Sequence, residues 1–270
     1  MLSAILVFLA VGAIAGLVAG LLGLGGGVVV VPLLSIALAS VGVAPEYVYR
    51  MAVATSMAGI IFTALSSAKA HNQASPLRFD LIKPLAPSLV IGTLGGSYLA
   101  TSLDPALLKI VFTLFLYFLA ARMLLNWQLK PRQKKLPAPA IGVVGMGMGV
   151  MCSLIGVGGG TMLVPFLTWI NTPIHNAIGV SAALSFFIAA SGTVGYVLNG
   201  LNQSGLPAWS LGYVHLLALA CIVPTSVLTA PFGVKLAYRL SPKQLKIVFG
   251  LTMLVLGSGM LWGLLKNIQF

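Results

Sequence analysis

Apolar residues run through this chain in stretches of roughly 15 to 25, broken by short polar clusters. The stretches show neither the two-residue alternation of a half-buried strand nor the narrow stripe of a surface helix. Segments that are apolar all round are helices set among other helices or in hydrocarbon, and roughly 20 residues cross a bilayer core of about 30 Å. The pattern predicts ten helical segments, at about 2–22, 28–41, 50–70, 85–102 and 107–126, then 139–155, 161–171, 176–200, 211–230 and 244–265. The first has no basic region before it and is followed by more sequence of the same kind, so it is expected to be a retained segment and not a cleaved signal. Composition agrees, since 59% of the 270 residues are hydrophobic, 7% are charged and the mean hydropathy is +1.07. So little charge cannot cover a water-facing surface, and the bilayer is the expected solvent.

The ten segments fall into two related sets. A shift of 133 residues lays Gly12, Gly16, Gly23, Gly25, Gly26, Gly27, Val31 and Pro32 on Gly145, Gly149, Gly156, Gly158, Gly159, Gly160, Val164 and Pro165. A shift of 125 matches Ala52, Ser56, Ala58, Phe62 and Ser66 with Ala177, Ser181, Ala183, Phe187 and Ser191. A shift of 137 matches Pro87, Gly96 and Pro105 with Pro224, Gly233 and Pro242, and overlays Leu108–Phe112 on the identical pentapeptide Leu245–Phe249. Three blocks in one order indicate a duplication. Residues 1–126 form the first repeat, 127–138 a basic loop, and 139–270 the second repeat.

Charge changes the picture from ten segments to a topology. The net charge of +12 is scattered through short loops and not gathered on one face, which argues against a nucleic-acid surface and for membrane orientation. If each glycine break is the tip of a helix pair that returns to its starting side, three loops share the cytoplasmic side. They carry Lys69, Arg78, Lys83, Arg122, Lys130, Arg132, Lys134, Lys135, Lys235, Arg239, Lys243 and Lys246, which is 12 of the 15 basic residues. If each pair instead makes a single crossing, the split falls to nine against six. The first arrangement accords with the positive-inside rule. Each half then has an odd number of segments, so the halves are inverted relative to one another and both termini lie outside the cytoplasm. The expected fold is an all-α polytopic membrane protein of two inverted repeats, each a glycine-broken hairpin plus three transmembrane helices, giving 8 to 10 membrane helices.

Candidate chemistry gathers at the breaks. Consecutive glycines at Gly25, Gly26 and Gly27, and at Gly158, Gly159 and Gly160, destabilise a continuous helix by about 1 kcal/mol each. Helices starting at Val28 and Thr161 would aim unpaired N–H groups and positive dipole ends at the protein centre, an arrangement suited to an anion. The alternative role, close helix packing, applies above all to the outer glycines Gly12, Gly16, Gly20, Gly145 and Gly149. Hydroxyls on the third segment of each half, among them Thr55, Ser56, Thr63, Ser66, Ser181, Ser185, Ser191 and Thr193, either donate to a substrate oxyanion or bond back to their own helix. Thr55, Ser56 and Ser181 are the leading donors by position. Val180 stands where Thr55 has its counterpart, so the two hydroxyl sets are not equivalent.

Glu46, Asp80 and Asp104 all fall in expected loops, leaving no carboxylate for a buried cation or proton relay and disfavouring a transported cation. Cys152 and Cys221 lie in apolar stretches, and with His175 and His215 they form no metal-ligand pattern. His71 and Asn72 end a segment beside Lys69, where they either guard an exit or are ordinary interfacial side chains. Pro32 and Pro165, with Ser66 and Ser191, complete the set of gating candidates. No zinc-protease, nucleophile-elbow or phosphate-loop motif is present, so no enzyme activity and no cofactor are expected.

The paired Gly23–Gly27 and Gly156–Gly160 motifs, each followed by proline at Pro32 and Pro165, resemble those of the TauE/SafE family of sulfite exporters, also called the toluenesulfonate uptake permease family. The segment from Ala54-Thr55-Ser56 to Ala70-His71, and its counterpart from Gly179-Val180-Ser181 to Gly195-Tyr196, extend the resemblance over nearly the whole chain. It implies a transporter of the bacterial or archaeal inner membrane that moves, commonly outward, small sulfur-containing anions such as sulfite, thiosulfate or organosulfonates. The expected partners are the anion and membrane lipid, with no nucleic acid; a homo-oligomer stays open. A passive anion channel, or a non-transporting membrane subunit of a sulfur-handling complex, are the alternatives.

Overall fold

The computed structural model describes residues 2–22, 27–74, 78–125, 137–237 and 239–268. Ten helices and one short hairpin make up the described residues. The helices are α1 (Leu2–Leu22), α2 (Gly27–Ser40), α3 (Pro45–Ala74), α4 (Phe79–Ser102), α5 (Pro105–Leu124), α6 (Ala138–Ile155), α7 (Gly160–Trp169), α8 (Ile174–Gly200), α9 (Leu216–Ala237) and α10 (Pro242–Ile268). Strands β1 (Ser210–Leu211) and β2 (Val214–His215) pair antiparallel between α8 and α9. The protein is an all-α polytopic membrane protein: α3, α5, α8, α9 and α10 are long and apolar enough to cross a bilayer, and α1, α2, α6 and α7 contribute shorter apolar helices.

Helix starts follow local chemistry. Pro105 opens α5 and the Asp104 carboxylate accepts the Ala106 N–H at 2.7 Å. Ser241 and Gln244 cap α10 reciprocally, side chain to backbone, at 2.8 and 3.3 Å. Two expectations are corrected here. The stretch 211–215 is not helical, because the left-handed turn at Gly212 (φ 54°) folds it into the β1–β2 hairpin. The acids do not all lie in loops: Glu46 and Asp80 occupy the first turns of α3 and α4, where a carboxylate complements the helix dipole. All three acids remain exposed at helix ends.

Packing follows the duplication. α1 packs on α9 and its counterpart α6 packs on α4, while α3 meets its counterpart α8 and α5 meets its counterpart α10. The match extends to single residues. A Cβ on Gly12 would collide with Thr225, and one on Gly145 with Ser88, the residue 137 places before Thr225. Gly16 is in the same way pressed against Ser226 and Gly149 against Leu89; Gly233 against Leu17 and Gly96 against Val150. These outer glycines let helix backbones approach without intervening side chains, the packing role of small residues in membranes. Numbers rise together along α1 and α9, so that pair is parallel. Gly250 beside Leu124 and Gly257 beside Tyr117 make α5 and α10 antiparallel.

Candidate functional site

The start of α2 lies against the second glycine break. α6 ends at Gly156, whose left-handed φ of 72° only glycine adopts readily, and a Cβ there would sit 3.0 Å from Val31 and from Val53. A Cβ on Gly27, the first residue of α2, would lie 3.0 Å from the Gly156 carbonyl and 3.2 Å from Val157 Cα. The start of α2 and the turn leading into α7 are therefore in contact. Gly158 is wedged between Ile60 of α3 and Ser185 of α8, and Gly159 caps α7 without a side-chain bond. Gly160 begins α7; the Met162 and Leu163 N–H groups donate to the Gly159 carbonyl at 3.1 and 2.6 Å, which leaves those of Gly160 and Thr161 as the first-turn donors.

The hydroxyls divide into bonded and unbonded sets. The Ser56 hydroxyl donates to the Gly156 carbonyl at 3.0 Å, fixing the turn, and Thr55 Oγ1 accepts the His215 N–H at 2.9 Å, tying α3 to β2. Thr63, Ser185, Ser191 and Thr193 bond back to their own helices. Thr161 and Ser181, by contrast, are 6% and 1% exposed, and their side-chain oxygens have no hydrogen-bond partner among the described residues; neither has Ser153, one turn before Gly156. A buried hydroxyl without a partner costs about 1–3 kcal/mol, so such groups call for a ligand or water.

Of the remaining candidates, Pro32 and Pro165 lie inside α2 and α7, and Ser66 and Asn72 are on exposed faces of α3. His71 is helical, and its side chain, like Gly25 and Gly26 altogether, lies outside the described residues. The counterparts Ser66 and Ser191 do not share an environment, one being exposed and the other buried. No group of three or more metal-ligating side chains occurs among the described residues.

The Sulfite exporter TauE/SafE family matches residues 8–260. The chain belongs to that family. A Haemophilus influenzae protein described as "Probable membrane transporter protein" is 33% identical over 96% of this chain and 99% of its own length. A Methanocaldococcus jannaschii protein with the same description is 28% identical over 93% of each. No solved structure gives a significant match. The chain is thus a membrane transporter of the TauE/SafE family, and the descriptions of the family and of these relatives are those of transporters and not of enzymes.

Two residues of this TauE/SafE chain escaped the sequence patterns. Ser153 carries no motif, and only its place one turn before the glycine break marks it. Arg50 lies in the second turn of α3, half-buried, with one guanidinium nitrogen donating to the Leu103 carbonyl at 2.8 Å and its Nε buried without a partner among the described residues. The signal was present, because an ionisable residue inside an apolar segment marks function by default.

Proposed function

We propose that the protein is a secondary transporter, working as an exporter, of small sulfur-containing anions such as sulfite, thiosulfate or organosulfonates across a bacterial or archaeal inner membrane. The unpartnered buried hydroxyls of Thr161, in the first turn of α7, and of Ser181, on α8, carry this reading. An oxyanion accepts hydrogen bonds from both hydroxyls and from first-turn N–H groups of α7, and the positive ends of α2 and α7 hold its charge. Ser56 has a positioning role: by donating to the Gly156 carbonyl it occupies an acceptor that would repel an anion. The described carboxylates stay at helix ends, so none competes for the site.

The two halves are inverted about an axis in the membrane plane, with both termini outside. The antiparallel course of α5 and its counterpart α10 supports this. Rocking one half against the other around the central site supplies alternating access.

The test is saturable uptake of labelled sulfite, thiosulfate and a sulfonate into proteoliposomes. Thr161→Val and Ser181→Ala are expected to weaken transport affinity about tenfold or more, the worth of a hydrogen bond to a charged group. Their melting temperature is expected to hold or rise, because each removes a buried unsatisfied hydroxyl. Flux of none of these anions, or variants that transport like the parent, would sink the assignment.

A further inference from the structure

α2 touches α10, whereas its counterpart α7 is parted from α5 by a cavity of about 660 Å³ between α5, α6 and α7. The walls are aliphatic and aromatic apart from Arg122, Thr161 and the Trp169 indole. Leu114 and Phe118, on its α5 wall, are 63% and 51% exposed, so the cavity opens onto the surface that faces hydrocarbon. Arg122 lies in the last turn of α5, half-buried, and Trp169 is the last residue of α7. Arg and Trp at helix ends are the side chains that settle at headgroup depth.

We propose that this groove holds one acyl chain of an anionic phospholipid, with the headgroup phosphate on Arg122. Three observations commit the groove to lipid. Along α5 from Val111 to Arg122 it runs about 16 Å at 1.5 Å per residue, close to half of a bilayer core of about 30 Å, which is the reach of a chain from one leaflet. Its walls offer hydrocarbon contact along that length and a cation at one end, the polarity of a lipid and not of a solvated oxyanion. The corresponding face of α10 and α2 lacks the polar end, because Gly259 stands where Arg122 has its counterpart and Ile36 stands where Trp169 has its. The lipid holds α5 and α7 apart, whereas their counterparts α10 and α2 meet directly.

Trp169 reports on the groove directly. In a variant carrying Trp127→Phe, Trp209→Phe and Trp262→Phe, its fluorescence is titrated in phosphatidylcholine vesicles containing chain-brominated phosphatidylglycerol or chain-brominated phosphatidylcholine. The anionic lipid is expected to quench at about fivefold lower mole fraction, the effect of one cation on an anionic headgroup. Arg122→Gln should bring the two lipids to parity and Arg122→Lys should restore the preference. Equal quenching of the parent by both lipids overturns the proposal without recourse to any variant. So do absence of quenching, a preference that survives Arg122→Gln, and relief of quenching by dissolved sulfite or phosphate, which would make Arg122 a free-anion site. No flux is measured, so the outcome is independent of the transported substrate.

Discussion

Thr161 and Ser181 show how the repeat was specialised one side chain at a time. The counterpart of Thr161 is Val28, and the counterpart of Ser181 is Ser56, whose hydroxyl is spent on the Gly156 carbonyl. The unpartnered hydroxyls Ser153, Thr161 and Ser181 therefore all come from the second repeat, and an anion bound by them would sit off the axis of the proposed inverted repeat. His215 makes a different residue-scale point. Its Nδ1 accepts the Ala218 N–H at 3.1 Å, so the imidazole caps α9 in its neutral form, tilted by 57° against the Phe8 ring at 5.3 Å between centroids. Burial pushes its pKa below the ordinary value of about 6.5. The unfolded chain then takes up the proton first. The contribution of His215 to stability is fully present above about pH 6.5 and is lost as pH falls through the lowered folded value. Melting temperature is expected to drop between about pH 7 and pH 5, and His215→Asn, which caps without titrating, should flatten that part of the profile. An unchanged slope would remove His215 from the account.

At the scale of the element, glycines in one helix have opposite values. Gly149 of α6 meets the backbone of α4, and a Cβ there would lie 2.5 Å from the Leu89 carbonyl and 2.9 Å from the Thr93 nitrogen. Gly147, on the same helix, has nothing within 4 Å. Gly149→Ala should destabilise by about 1–3 kcal/mol through forced separation of the helices. Gly147→Ala should be neutral or stabilise by up to about 1 kcal/mol through helix propensity. Unfolding in detergent checks both, and equal effects would dismiss the close-packing account. The packing glycines were legible in the sequence as recurring small residues, but which helix each one met was not: α1 pairs with α9 across most of the chain, and no local pattern encodes that distance. The hairpin at 210–215 was hidden for a related reason, since strands of two residues each are too short to show an alternation.

For the whole molecule, the exchange of partners between α1·α9 and α6·α4 means that neither repeat is a free-standing bundle. The second helix-pair tip is completed by Ser56 from the first half, so motion of one repeat against the other would reshape the turn at Gly156 directly. Orientation is open to a direct check. Single cysteines placed at Gln133 and Gly205 are expected to react with impermeant reagents from opposite sides, Gln133 from the cytoplasm. Reaction from one side would undo the inverted topology. Arg50, close to the end of α3 where Tyr47 donates to the Ser204 carbonyl at 3.0 Å, would lie toward the outer mouth in that topology.

By itself the sequence determined the solvent, the class of secondary structure and the duplication. Each of these is written in composition, run length and residue spacing, and each survives averaging over many positions. It also marked the glycine breaks, because consecutive glycines weaken a helix wherever they occur. Only the tertiary structure decided which hydroxyls are spent and which are free, since Ser56 and Ser181 are equivalent in sequence and differ in whether a carbonyl from the other half stands within reach. It likewise decided that α5 and α7 leave a groove where their counterparts α10 and α2 touch, a difference of packing between helices far apart in the chain.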